Sequence, residues 1–237
     1  MRIQVLSDVN QCTALKSDSQ IADYALKKID QYGFEYFHFR LIPRFGNALT
    51  NSKVITNYPN ELIKRNEVNN LAFKNPIISH CQASISPIIW EEELFHESSI
   101  LWEDKQTFGL RHGCSQAVHD ASGATGILSL ARSEPHLSEE EFNEKAADVL
   151  WLCNRLHAFM CAKYLPQLIK QGPLNRLSVR ESEVLKWTAE GKTASDIGMI
   201  LNLTTRTVNF HISSAIRKMG ANNKTSAVVI ATKSGLL

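Results

Sequence analysis

Arg206, Asn209, Phe210, Ser213 and Arg217 lie within the segment Thr204–Gly220, TTRTVNFHISSAIRKMG, at spacings that put them on one side of a helix. No acidic residue lies among them. Guanidinium groups contact phosphates or guanine, amide and hydroxyl groups hydrogen-bond base edges, and a phenyl ring can touch a thymine methyl. Lys192, Thr193, Thr205 and Lys218 add cations and helix-start hydroxyls suited to phosphate contacts. The other side of the segment carries Val208, Ile212, Ile216 and Met219, an apolar stripe that must face a core. A solvated surface helix could also look like this, so the neighbouring elements decide.

In Leu177–Gly191, Ser178 and Glu181 form a capping box, Val184, Leu185, Thr188 and Ala189 point inward, and Gly191 ends the helix. Thr193–Leu201 repeats the scheme, with Thr193 as cap, Asp196 three residues on, and Ile197, Ile200 and Leu201 inside. Asn202-Leu203 leaves a short turn. Thr204 or Thr205 then caps the groove-facing helix, and Gly220 closes it. Asn223 caps a last helix over Lys224–Ser234, with Ala227, Val228 and Ala231 inward. Four short capped helices with a tight turn between the second and third predict a helix-turn-helix unit.

The run from Leu177 to Val229 resembles the DNA-binding domain of LuxR-type transcriptional regulators. The likeness rests on Glu181, Leu185, the GKT at 191–193, Ile197, Thr207-Val208, His211, Ile216 and Lys218. It implies a homodimer on a two-fold symmetric double-stranded DNA operator, with contacts to RNA polymerase. In that family the last helix pairs the DNA-binding domains, which gives Val229, Ile230 and Lys233 as dimer contacts.

Composition agrees. The apolar fraction is 43% and net charge only +2, but from Leu174 onward nine Lys/Arg face four Asp/Glu. A basic C-terminal module on a mildly acidic partner suits a polyanion bound at one end. Five cysteines, odd in number and without CxxC spacing, argue against a disulfide framework or a zinc site. No signal peptide and no stretch of ~20 apolar residues is evident, so the expected location is the cytoplasm, with no membrane contact.

Earlier in the chain, helices are expected over Ser17–Tyr32, Pro59–Asn69, Pro76–Ala83 and Glu91–Phe108. Strands are expected over Phe34–Ile42, Lys53–Thr56, Cys114–His119 and Gly126–Ala131. Ser138 and Glu141 form a capping box opening a long helix to about Tyr164. This order predicts an α+β fold, an α-β-α sandwich on a mostly antiparallel sheet, followed by the all-α unit. Pro166–Pro173 holds two prolines and a glycine and reads as a linker. The expected domains are therefore 1–165 and 174–237.

The larger domain resembles the autoinducer-binding domain of quorum-sensing LuxR regulators, which bind N-acyl-homoserine lactones. The resemblance rests on Asn57-Tyr58-Pro59, on Pro76 with the following ISHCQASISPIIW to Trp90, on LWEDKQTFGLRHG to Gly113, and on GILSLAR around Ser129. It implies that Tyr58 and Ser129 hydrogen-bond an acyl carbonyl, Trp90 walls the lactone end, and Gly113 gives room. Three positions depart: Leu62 stands for Trp, Asn66 for Tyr, and Asn75 for the Asp that accepts the ligand amide. A bond to a charged acceptor is worth roughly 1.5–3 kcal/mol and a neutral one about 0.5–1.5. Leu62 offers no donor to a lactone carbonyl. Three readings follow: a different head group, a domain that works without ligand, or a lactone in an adjusted pose. A haem or flavin sensor is a further alternative. No nucleophile elbow or Gly-rich phosphate loop appears, so neither catalysis, a resident cofactor nor a metal is expected.

Overall fold

The computed structural model describes residues 17–43, 49, 51–171 and 177–233, without the side chains of 168–171 and 233. They form two compact units, the larger ending at Tyr164.

The larger unit opens with α1 (Asp18–Gln31), whose Ser17 and Gln20 form a reciprocal capping box. Its sheet comprises β1 (Tyr36–Ile42), β2 (Lys53–Thr56), β3 (Ile88–Ile89), β4 (His112–His119) and β5 (Thr125–Arg132). The spatial order is β2-β1-β5-β4-β3, and every pairing is antiparallel. Central β5 is buried at all eight positions, as a strand covered on both faces must be. One face carries Phe39 and Gly126 against His157 of α5 (Glu139–Gln171). His157 Nε2 also lies 2.9 Å from Asp120, which holds the β4–β5 turn through Ser122 and the Ala124 N–H. The opposite face carries His38, Arg40, Ile127 and Ser129 towards α2 (Asn60–Val68), α3 (Pro76–Ala83) and α4 (Ser99–Thr107). Register aligns His38 with Ser129 and Arg40 with Ile127.

Three expectations need correction. Glu91–Phe108 is a 3-10 turn over Glu92–Phe95 followed by α4. Phe95 and Leu101 are both buried, and a six-residue spacing fits no single helix face, so the chain must turn between them. Pro166 does not end the preceding helix, because α5 continues to Gln171. The proline removes one backbone hydrogen bond. At the start of α5, Ser138 accepts the Glu141 N–H, but the Glu141 carboxylate turns to Arg132 and Lys145. The pairing with Arg132 holds the Glu141 carboxyl at about 2.

The smaller unit contains α6 (Val179–Ala189), α7 (Ala194–Leu201), α8 (Thr205–Met219) and α9 (Lys224–Lys233). Both expected capping boxes close, Ser178 with Glu181 and Thr193 with Asp196. Thr204, not Thr205, caps α8, and Gly220 ends it at φ 64°. Asn223 caps α9 by accepting the Ser226 N–H. Val184, Ile197, Val208 and Ile212 form one core cluster, and Leu185, Ala215, Met219, Ala227 and Ala231 another. Ala189 is exposed and Ile200 is 44% exposed, against expectation. The α7–α8 turn is tight: Asn202 takes a left-handed conformation, and the Leu203 N–H bonds to the Gly198 carbonyl at 2.8 Å. A Cβ on Gly198 would sit 2.7 Å from the Leu203 carbonyl oxygen.

Candidate functional site

A cavity of about 450 Å³ lies between the sheet and α2–α4. Tyr58, Leu62, Asn66, Asn75 and Ser129 line it, together with His38, Arg40 and Lys105. Tyr58 follows Asn57, which fixes the edge of the cavity by accepting the Phe37 N–H at 2.7 Å and donating to the Glu35 carbonyl at 2.9 Å. Leu62 is the buried residue of α2. Asn75 caps α3, its Oδ1 accepting the Ile77 N–H at 3.0 Å. Three buried polar atoms on this wall lack a hydrogen-bond partner among the described residues: His38 Nδ1, Tyr58 Oη and Asn66 Oδ1. Orphaned buried polar groups cost ~1–3 kcal/mol each, so three around one apolar cavity point to a polar occupant. Burial pushes the Tyr58 phenol up and, with Arg40 and Lys105 nearby, holds the His38 imidazole well below its ordinary range.

Lys105 was not signalled by the sequence. It is 7% exposed, and its Nζ lies 3.3 Å from the centroid of the Trp90 ring. Burial pushes this ammonium down to about 7. An apolar helix stripe hides such a residue, since a long side chain can place its head group far from its own Cα.

On α8, Thr205, Arg206, Asn209, Phe210, Ser213 and Arg217 are all exposed, with Phe210 at 66%. Val208, Ile212 and Met219 are buried beneath them. Lys192 and Thr193 are exposed at the start of α7. Lys218 is placed differently: its Nζ lies 2.8 Å from Oε2 of Glu181, which is 4% exposed. Burial alone would raise the Glu181 carboxyl, but hydrogen bonds from Lys218, the Ser178 N–H and Ser214 hold it at about 2.

Residues 17–160 match the model of the autoinducer binding domain, and residues 175–231 that of bacterial regulatory proteins of the luxR family. The chain is 32% identical over 225 residues to the transcriptional activator protein AnoR of Acinetobacter nosocomialis, covering 94% of each. The chain belongs to the LuxR family of bacterial transcriptional regulators. It is also 34% identical over 212 residues to the regulatory protein SdiA of Escherichia coli, covering 86% of this chain and 85% of SdiA. The solved structure of E. coli SdiA superposes with a TM-score of 0.78 at 27% identity, covering 99% and 96% of the two chains. A structure of SdiA in complex with octanoyl-rac-glycerol gives 0.75 at 27%, covering 98% and 93%.

Two site residues expected in this LuxR regulator take other positions. Trp90 is buried but does not line the cavity. Lys105 lies over its ring, and its Nε1 donates to Ser115 Oγ at 2.9 Å. Ser115 is in turn 2.7 Å from Ser129 Oγ. Either hydroxyl can donate in that contact, because Ser115 keeps a second lone pair after accepting the indole N–H. Gly113 also serves Trp90: a Cβ there would meet the ring at 2.6 Å and the Leu130 carbonyl at 2.4 Å. On α9, Val229 is 45% exposed, while Ile230 packs partly against its own domain core. The Lys233 side chain lies outside the described residues.

Proposed function

We propose that this regulator is a cytoplasmic homodimer in which a small amphiphilic signal, bound in the sheet cavity, controls recognition of a two-fold symmetric operator. Sensing is assigned to residues 1–165 and DNA binding to 174–237. The observation that carries the reading is the cavity of about 450 Å³ with the orphaned polar atoms of His38, Tyr58 and Asn66 on its wall. Apolar clefts of roughly 300–1,000 Å³ with a few convergent polar groups are the usual form of small-molecule sites. SdiA, which shares this fold, has been solved with an acylglycerol.

On the DNA side, Arg206, Asn209, Phe210, Ser213 and Arg217 enter the major groove, and Lys192 and Thr193 hold phosphates. Lys218 buttresses Glu181 in the domain core and contributes less to phosphate binding than a free cation would. Val229 supplies the dimer contact on α9, while Ile230 is shared with the domain core.

The test is selection of genomic fragments by the purified protein, with and without host extract, followed by thermal unfolding with acyl lactones and octanoylglycerol. Enrichment of a palindrome with half-sites about one helical turn apart, and stabilisation by an acyl compound, are expected. Uniform retention of all fragments under both conditions would refute the reading.

A further inference from the structure

The polar groups around the cavity are unbalanced in charge. Lys105, Arg40 and Lys53 are on its wall, and Glu67 is the one carboxylate among the described lining residues. Arg40 donates to Ser52 Oγ at 2.7 Å. Asn75 has no charge where an acid would receive an amide N–H, and its oxygen already caps α3. The site is therefore richer in cations than in charged acceptors.

Lys105 is the cation of this wall that is buried. Its Nζ lies 3.3 Å from the Trp90 ring centroid, 5.8 Å from that of Phe95 and 5.9 Å from that of Tyr58. Among the described residues no carboxylate lies within ion-pair distance of it, and Asp104 beside it pairs with Arg65 at 3.1 Å. Trp90 is not among the lining residues, and the Lys105 ammonium, on a residue that does line the cavity, covers its ring. Aromatic faces attract a cation but do not neutralise it, whereas a bound anion would. A carboxylate offers about four acceptor sites and no donor, the complement of the Lys105 ammonium and the Tyr58 hydroxyl, while Asn66 Oδ1 is left to a donor elsewhere on the occupant or to water. An acyl-homoserine lactone is neutral and brings an amide N–H that finds no charged acceptor here.

We propose that the cavity takes an acyl chain ending in a carboxylate, with Lys105 as its counter-ion and the Tyr58 hydroxyl donating alongside. This rests on the ligand-sensing reading above and names the class of the signal. The apolar walls from Leu62, Leu71, Ile77 and Leu101 receive the chain.

The experiment uses the full-length protein in calorimetric titration and thermal unfolding. The probes are octanoate, decanoate and dodecanoate, the primary amides of the same lengths, and N-decanoyl-homoserine lactone. The acid is expected to bind roughly ten- to hundredfold more tightly than its amide, the span of a hydrogen bond to a charged partner. In K105Q and K105M that preference should vanish while amide binding and cooperative unfolding persist. A second readout is proton uptake at pH 8, seen as a dependence of the binding heat on buffer ionisation. Lys105, held near 7 in the empty protein, would regain its charge beside an anion. K105Q keeps His38, Arg40, Lys53, Tyr58 and Glu67, so loss of the uptake in that variant assigns it to Lys105. If the amide or lactone binds as tightly as the acid, or the preference survives in K105Q, the acidic head group is wrong and ligand sensing stands. If no acyl probe binds, the proposal fails together with the acyl-signal reading.

Discussion

Lys105 makes a prediction about stability that needs no ligand. In the unfolded chain its amine has the ordinary value of 10.5, and in the empty folded protein it stands at about 7. The unfolded state therefore binds more protons than the folded state between those limits, and stability rises with pH across that window. Below pH 7 both states are charged, and the folded state bears the full cost of the buried ammonium. At ~1.4 kcal/mol per unit, the shift corresponds to a cost on the order of 5 kcal/mol. K105M removes the charge and keeps most of the side-chain volume. Urea unfolding of both proteins at pH 6, 8 and 9.5 should show the variant more stable by several kcal/mol at pH 6, with the gap closing as pH approaches 10.5. Arg40, Lys53 and Glu67 are on the wall in both proteins and cancel in the difference. A gap that is constant with pH, or a wild type more stable at pH 6, would show that Lys105 is solvated and would undo the account of the cavity end.

The DNA-binding unit yields three more. Removing its cation from the buried Glu181 in K218M should lower the unit's stability by ~3 kcal/mol, measured by urea unfolding. The Glu181 carboxyl, held at about 2 against an unfolded 4.5, contributes stability above pH 4.5 that fades as pH falls towards 2. That acid sensitivity should be smaller in K218M. G198A should destabilise by roughly 1–3 kcal/mol, because its Cβ would press on the Leu203 carbonyl, and unchanged urea midpoints would contradict the turn geometry. N209A should relax base preference, while K192A should weaken selected and random DNA alike and flatten the salt dependence by about one unit; equal behaviour of the two variants would refute the division of roles.

The helix-turn-helix was legible because its determinants are local. Capping boxes, a left-handed Gly220 and the stripe of Val208, Ile212 and Met219 depend only on residues a few positions apart. The exposed face of α8 followed directly from that stripe. Most strands and helices of the larger unit were legible for the same reason. The two-residue strand Ile88–Ile89 and the break before α4 were not, since both are set by what the rest of the sheet and core must cover. The ion pair Lys218–Glu181 joins residues 37 positions apart, and no local pattern announces it.

The cavity shows where a likeness to known proteins stops informing. The resemblance located Tyr58, Leu62, Asn66, Asn75 and Ser129, and all five line one space. It placed Trp90 and Gly113 there as well, but their space is taken by the α4 lysine lying on the indole and by the indole lying on the glycine. Trp90 thus serves as a platform for the Lys105 ammonium, and Gly113 makes room for that platform. The departures at 62, 66 and 75 lie on the same wall and remove two aromatic groups and a carboxylate from it. An uncharged Asn75 and a buried Lys105 leave this wall short of negative charge. A buried ammonium with no carboxylate in ion-pair distance among the described residues is more simply explained by an acidic occupant than by a cavity without one, because such a cavity gains nothing by burying a charge.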